Sequence, residues 1–430
     1  MGLYVPAGRH ARTHKEIPMD SKRQRDTTRR RFLKNACRAG LAAAAGAAGF
    51  DRARASQDRG EKNARQAMPR RPLGKTGIEV PILGLGGSLN LVNQQLLLAQ
   101  ALAMGVAYWD TADNYSGGRS EEGIGAYFAR RPEDRRRVFL VTKTSASSPE
   151  SMGRSLSESL ARLKTDYVDL FLLHGISRVE GRLDETVRRW VAQAKADGRI
   201  RLFGFSTHRN MAACLDQAAR MGGIDAVMLT YNYRVMDEPD MQQAVAACAE
   251  AGIGLVAMKT QGWSVSFGGA EAGEELVRHF MARGLSEHQA RLKAAWDNPH
   301  IAAICSHMDT LGILKENVAA ALDGSVLSKQ DRAALRRHAR RTAARYCAGC
   351  GDICESALNK PLPVADVMRC LMYAHSYNDY QMAREAFARL PRGMRERLRT
   401  TDFAAAERRC PRRLAVGDLM RRAAQDLDTG

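Results

Sequence analysis

At 430 residues the chain is long enough to bury a core without disulfide staples, which excludes the small cysteine-framework scaffolds. Its composition, 45% apolar and 26% charged, is that of a globular protein, and no apolar run reaches the roughly 18 residues that a membrane span needs. The net charge of +19 sits at the ends: residues 1–70 hold 17 basic against 6 acidic residues, residues 331–430 hold 20 against 12, and the middle of the chain is neutral. A neutral middle argues against a phosphate-binding face, and so against nucleic acid as a partner.

In chain order, residues 1–35 are polar and basic. They run into Thr28-Arg29-Arg30-Arg31-Phe32-Leu33-Lys34, which resembles the twin-arginine export motif with Arg29 and Arg30 as the pair. A weakly apolar Ala/Gly stretch follows from Ala36 to Phe50, and Ala53-Arg54-Ala55 supplies small residues at a cleavage position before Ser56. That order is the order of a signal peptide. The resemblance implies export through the twin-arginine machinery to the periplasm, so residues 1–55 are set apart as signal and leader and 56–69 as linker.

Residues 70–325 alternate short β-rich runs with helical periods. The expected strands are Val80–Gly86, Ala107–Thr111, Val138–Thr144, Val168–His174, Ile200–Ser206, Ala226–Asn232, Gly254–Thr260 and Ile301–His307. Helical spacing fills Gln94–Met104, Ser151–Leu163, Glu185–Lys195 and Met241–Ala251, with Gly105, Gly198, Gly222 and Gly252 at helix-ending positions. Eight strands with intervening helices predict an α/β fold, a (β/α)8 TIM barrel; residues 326–430 add a helical, cysteine-bearing extension. An open doubly wound sheet is the alternative, but Leu83-Gly84-Leu85-Gly86-Gly87-Ser88 lacks the dinucleotide glycine spacing.

The strand ends carry the chemistry. Asp110, Lys143, His174 and Ser206 stand 33, 31 and 32 residues apart, one strand–helix unit each, and the C-terminal ends of barrel strands share one mouth. Tyr115 follows Asp110 by five residues in the loop above. A lysine beside a phenol is expected to lower the phenol's pKa, and the phenol then exchanges a proton with a substrate oxygen while the imidazole orients it.

The stretch Asp110-Thr-Ala-Asp-Asn-Tyr115-Ser-Gly-Gly-Arg-Ser120-Glu121 resembles the signature of the aldo-keto reductases, and Leu73-Gly74-Lys75-Thr76-Gly77 with Gly84-Leu85-Gly86 resembles their opening segment. The resemblance implies a barrel that binds NADP or NAD across its mouth and acts on a small carbonyl or alcohol substrate. Tyr115 would be the general acid, Lys143 and Asp110 its support, and His174 the carbonyl-orienting ring. It further implies cofactor contacts from Ser206, Thr207 (where the family has Asn), Met258 (where it has an aromatic), and the adenine-holding pair Glu316 and Asn317; Met228 stands where the family has glutamine, and Lys259 after Met258 is expected to substitute as a phosphate or carboxamide contact.

Of nine cysteines, Cys37 falls in the signal, and Cys214, Cys248 and Cys305 read as small buried apolar residues. Cys347-x2-Cys350-x3-Cys354, with Cys410-Pro411 far downstream, departs from the ferredoxin spacing but groups four thiols. A branch of the aldo-keto reductases carries a C-terminal iron–sulfur extension, which implies a [4Fe–4S] cluster on Cys347, Cys350, Cys354 and Cys410 and a redox partner. A zinc ion on the same four, or disulfides in an oxidising compartment, are the open alternatives. The functional expectation is an oxidoreductase that moves hydride between a nicotinamide and a carbonyl or alcohol. The alternatives are a metabolite-binding barrel with decayed catalysis and an iron–sulfur electron-transfer protein.

Overall fold

The computed structural model describes residues 67–263 and 271–429, with side chains omitted at 271 and 272. The export segment 1–55, including Arg29, Arg30 and Cys37, lies outside the described residues.

The described chain opens with an antiparallel hairpin, β1 (Arg70–Pro72) and β2 (Glu79–Pro81). Leu73 and Val80 of this hairpin are fully buried and join the apolar cluster inside the barrel, where they close its N-terminal end. Arg71 ties the hairpin down by donating to three carbonyls, Trp296, Asn298 and Ile301, at 2.8, 3.1 and 2.8 Å.

Eight parallel strands then close into a barrel: β3 (Leu83–Gly86), β4 (Tyr108–Asp110), β5 (Phe139–Thr144), β6 (Val168–Leu173), β7 (Ile200–Thr207), β8 (Ala226–Thr230), β9 (Gly254–Met258) and β10 (Ile301–His307), with β10 pairing β3. The first expected strand is split: Val80 belongs to the hairpin, and the barrel strand starts only at Leu83, after Pro81. Proline has no N–H to continue a ladder.

Around the barrel run α1 (Gln95–Ala103), α2 (Arg119–Arg130), α3 (Pro149–Leu163), α4 (Glu185–Ala196), α5 (Met211–Met221), α6 (Pro239–Ala251), α7 (Glu271–Met281), α8 (Glu287–Trp296) and α9 (Leu311–Leu322). Helix α3 shows why they form. Ser148 caps it in a reciprocal box with Ser151, Pro149 sits in the first turn, and Met152, Leu156 and Leu163 bury one stripe.

Period-two alternation sorts the strand side chains. On β5, Phe139 and Val141 face the barrel interior while Leu140 faces the helices; on β6, Leu170 and Leu172 face in while Phe171 and Leu173 face out. Glycines relieve crowding on the inward face of β3. A Cβ on Gly84 would lie 2.6 Å from the Tyr108 ring, and one on Gly86 3.3 Å from the Cys305 sulfur. The glycine-rich run of β3 thus serves close strand packing.

The extension comprises α10 (Lys329–Arg341), which packs on α7 and α8, then α11 (Gly351–Glu355), α12 (Val364–Ser376), α13 (Tyr380–Ala388), α14 (Arg392–Thr400), α15 (Ala404–Arg409) and α16 (Val416–Asp426). Helices α11–α16 share an apolar core of their own, with Val367, Met368, Leu371, Phe387, Leu398, Phe403 and Met420. They meet the barrel mouth through polar contacts. Arg209, two residues beyond β7, pairs with Asp366 of α12 at 2.5 Å, and the Asn210 amide donates to the Gly349 carbonyl at 2.8 Å. Gly349, at φ +76, packs so closely that a Cβ there would lie 2.3 Å from the His208 carbonyl.

Gly87 links the fold to the site. Its N–H donates to the Asp110 carbonyl at 2.7 Å, and a Cβ there would stand 2.4 Å from that same oxygen. Gly87→Ala is expected to destabilise the protein by about 2 kcal/mol, the usual scale of overpacking. Chemical denaturation read by circular dichroism measures this.

Candidate active site

The alternation that places Phe139 and Val141 inside the barrel also turns Lys143 inward, one layer higher, at the C-terminal end of β5. Asp110 follows Tyr108 inward on β4 in the same way. The Lys143 ammonium donates to Asp110 Oδ2 at 2.7 Å, to the Thr111 carbonyl at 2.7 Å, and stands 3.3 Å from the Tyr115 hydroxyl. Its Nζ lies 4.6 Å from the Tyr115 ring centroid, and the His174 ring meets that ring edge-on with centroids 5.5 Å apart. All four residues expected at the mouth are therefore in contact around one point.

Tyr115 rides on a short turn, Tyr115–Gly118, in which Ser116, Gly117 and Gly118 take positive φ of 50, 65 and 92. The signature around it is mostly scaffolding. Ser120 Oγ donates to the Gly87 carbonyl at 2.6 Å, the Thr111 hydroxyl meets Ser120 Oγ at 2.7 Å, and the fully buried Glu121 accepts from Thr142 and Arg162 at 2.6 and 2.7 Å. Asp113 accepts from Ser155 of α3 at 2.9 Å. These bonds fix the loop that carries the phenol.

Burial sets the proton affinities. It opposes charge on Lys143, but the adjoining Asp110 carboxylate and Tyr115 oxygen outweigh it, so the ammonium stays charged well above the usual lysine range. For Tyr115 the outcome reverses the sequence expectation. Burial raises the phenol's pKa more than Lys143 lowers it, and the group is held protonated above the usual tyrosine value. The His174 imidazole is pushed well below its usual value by burial and then by the cations Lys143, Arg369, Arg389 and Lys259, so the ring is neutral. Its Nδ1 is buried with no hydrogen-bond partner among the described residues.

The expected cofactor residues spread along the same rim. Ser206 Oγ accepts from the Gly175 N–H at 3.0 Å, which leaves its own proton free for a ligand oxygen. Thr207 is turned away, its hydroxyl spent on the Arg209 carbonyl at 2.8 Å. Met258 ends β9 with its side chain partly exposed. Glu316 is exposed on α9, whereas Asn317 is buried and donates to Ser306 at 3.0 Å. The Ser206 hydroxyl at the tetrad end and the exposed Glu316 farther along the rim are open to a ligand, whereas the Thr207 proton is already engaged.

Lys259 holds a left-handed backbone, φ +55, kept there by Asn232 Nδ2 and the Gly262 N–H, which donate to its carbonyl at 3.1 and 3.0 Å. Such a conformation costs a non-glycine residue about 1–3 kcal/mol and collects at functional sites. Its ammonium lies 4.6 and 5.5 Å from the ring centroids of Tyr373 and Tyr377 on α12, and 3.4 Å from the Tyr373 hydroxyl.

Cys347, Cys350, Cys354 and Cys410 are drawn into electrostatic reach of one another, and burial, then the Glu355 carboxylate, then the Cys350 and Cys410 thiols raise the pKa of Cys354 to about 12. All eight described cysteines are free thiols, so the disulfide alternative does not describe this fold. Among the described residues no three His, Cys, Asp or Glu side chains converge closely enough to hold a metal ion. The zinc alternative is corrected accordingly: the four thiols are neighbours but not a ligand set for one ion, and no step below runs through a metal.

Sequence reasoning missed the Thr111 carbonyl, Cys305 and the α12 residues Arg369, Tyr373 and Tyr377. Cys305 faces inward on β10 beside Asp110, and strand parity was the signal that could have found it. The α12 residues recur every four positions, but periodicity does not say which surface a helix covers.

A closed (β/α)8 barrel with a buried lysine and carboxylate and a half-buried phenol and imidazole at the C-terminal mouth defines a barrel of the enzyme type. The family model described as "Aldo/keto reductase family" matches residues 83–290, most of the barrel. The chain is 28% identical over 304 residues to the uncharacterized oxidoreductase YqkF of Bacillus subtilis (strain 168), covering 63% of this chain and 96% of that protein. It is 27% identical over 273 residues to a D-threo-aldose 1-dehydrogenase of a Pseudomonas species, covering 54% and 79%. A solved thermostable aldo-keto reductase in complex with the inhibitor epalrestat superposes with a TM-score of 0.53 at 26% identity, covering 63% of this chain and all of that one. The barrel is thus similar, in sequence and in fold, to oxidoreductases of the aldo/keto reductase family.

Proposed function

We propose that the barrel moves hydride between NADP or NAD and a small carbonyl or alcohol substrate, with Tyr115 as the general acid and base. The observation that carries this reading is the charged Lys143, joined to Asp110, the Thr111 carbonyl and the Tyr115 hydroxyl within 3.3 Å. The dinucleotide, when bound, supplies or accepts the hydride. In reduction Tyr115 gives its proton to the substrate oxygen, and in oxidation it takes one back. Lys143, anchored by Asp110, stabilises the phenolate that remains. Neutral His174 hydrogen-bonds the substrate oxygen and fixes the carbonyl's orientation. Ser206 and Glu316 hold the two ends of the cofactor. The dehydrogenase activity named for the Pseudomonas relative supports the substrate class.

Tyr115→Phe is expected to lower kcat/KM for NAD(P)H-dependent aldehyde reduction by about 10²–10⁴-fold, the usual worth of a positioned proton donor. A variant as fast as the parent in a stopped assay of cofactor absorbance refutes the role.

The raised pKa of Tyr115 and the lowered pKa of His174 set the pH behaviour. The phenol keeps its proton as pH rises through the ordinary working range, and the imidazole gains none as pH falls through it. Reduction kcat is therefore expected to vary by no more than about threefold between about pH 6 and pH 9. A steep limb within that window, in a constant-ionic-strength buffer series, contradicts the assignment.

Twin-arginine export to the periplasm and a [4Fe–4S] cluster on Cys347, Cys350, Cys354 and Cys410 complete the reading. Arg29-Arg30 with its flanks supports the first; the grouping of four cysteines within electrostatic reach of one another, though not converging on one ion, is what speaks for the second. Native protein recovered anaerobically from the periplasm is expected to begin near Ser56 and to carry about four irons per chain. Uncleaved, iron-free protein by intact mass and metal analysis overturns both.

A further inference from the structure

Helix α12 brings to the barrel mouth something the barrel itself lacks. Asp366, Arg369, Tyr373 and Tyr377 recur at three- and four-residue spacing and so share one face of it. That face is pinned at both ends. Asp366 meets Arg209 just past β7 at 2.5 Å, and Tyr373 meets Lys259 just past β9 at 3.4 Å. Arg369 lies between the two anchors along the helix, close enough to His174 and His208 to act on both electrostatically. His208 in turn touches Thr230, at the end of β8, at 3.3 Å.

The charges over this part of the mouth do not balance. Asp366 is shared by Arg209 at 2.5 Å and Arg369 at 2.9 Å, and Arg209 also faces Glu355 at 3.7 Å. Asp110 is taken by Lys143. Lys259 has no carboxylate partner among the described residues. Two tyrosine rings stabilise its ammonium without neutralising it. The fold further holds Lys259 in a left-handed backbone through Asn232, a buried residue whose amide also bonds the Tyr346 hydroxyl at 3.0 Å. A half-buried, uncompensated cation in a constrained conformation beside a reaction centre is a receptor for negative charge. Arg369 and Arg389 reinforce the field, since both act electrostatically on His174.

We propose that the site selects carbonyl or hydroxy substrates that carry a second, anionic group, a carboxylate or a phosphate, and that Lys259 and Arg369 are the residues that read it. The inference rests on the hydride-transfer reading above and names the substrate class of that same site. Lys259 and Arg369 are specificity residues here; neither exchanges the reacting proton.

The test compares two matched pairs at saturating dinucleotide: 4-carboxybenzaldehyde against benzaldehyde, and glyceraldehyde 3-phosphate against glyceraldehyde. The parent protein is expected to favour the anionic member of at least one pair by about tenfold or more in kcat/KM, the scale of one charge-assisted contact. The pair that shows the preference identifies the anion. Lys259→Met and Arg369→Gln are expected to bring the ratio to within about threefold of unity, mainly through KM, and Arg369→Lys to restore part of it. A ratio near one in both pairs for the parent overturns the proposal. So does a Lys259→Met variant that loses dinucleotide affinity but keeps the ratio, because Lys259 then serves the cofactor. If no aldehyde is reduced at all, the hydride reading fails on its own. The anion site is then decided by calorimetry of benzoate against benzyl alcohol. Benzoate binding that is lost in Lys259→Met supports the site, and equal or absent binding of the two overturns it.

Discussion

One buried ammonium organises this barrel's mouth. Lys143 sits almost wholly out of water, where a lone cation would lose its proton or unfold its surroundings. It is retained because Asp110 and the Thr111 carbonyl accept hydrogen bonds from it at 2.7 Å each. Neighbouring features follow from accommodating that pair. Glycines on β3 let β4 approach, Gly87 steers the Asp110 backbone, and the Ser120 and Glu121 bonds lock the loop that returns Tyr115 over the ammonium. The phenol then sits against a fixed positive charge in a dry environment. In that setting burial, more than the cation, decides its resting protonation.

The C-terminal helices change the character of this mouth by adding charges and rings to it. Their apolar residues form a core of their own, so the unit docks through charges, aromatic rings and a glycine contact instead of a shared greasy interface. Docking of this kind places polar groups where a barrel alone would leave solvent. The cations that face His174 come partly from the barrel, as Lys143 and Lys259, and partly from the extension, as Arg369 and Arg389.

Much of the barrel was legible in the residue order, because its strands are buried on both faces and read as short apolar runs between helical periods. Val168–Leu173 is buried at every position. The tetrad was legible for a related reason: Asp110, Lys143 and His174 are polar residues that end such runs at one-unit intervals. Two readings failed on physical grounds. The run Val80–Gly86 looked continuous, but Pro81 divides a hairpin from a barrel strand. A lysine beside Tyr115 suggested a lowered phenol pKa, but the depth of burial is a property of the packed mouth and reverses the sign. The four clustered cysteines were visible as a pattern, yet their mutual distances depend on how α11 and α15 are held, which spacing along the chain does not encode.

The sequence by itself determined the class of fold and the identity of the four mouth residues, because strand parity and one-unit intervals are local, periodic properties that each segment carries alone. Only the tertiary structure decided that α12 covers the mouth, that Lys259 is left without a carboxylate among the described residues while Arg369 shares one, and that Tyr115 keeps its proton. Those outcomes depend on which surfaces meet across more than a hundred residues of chain, as when Lys259 meets Tyr373, and on how much water their meeting excludes.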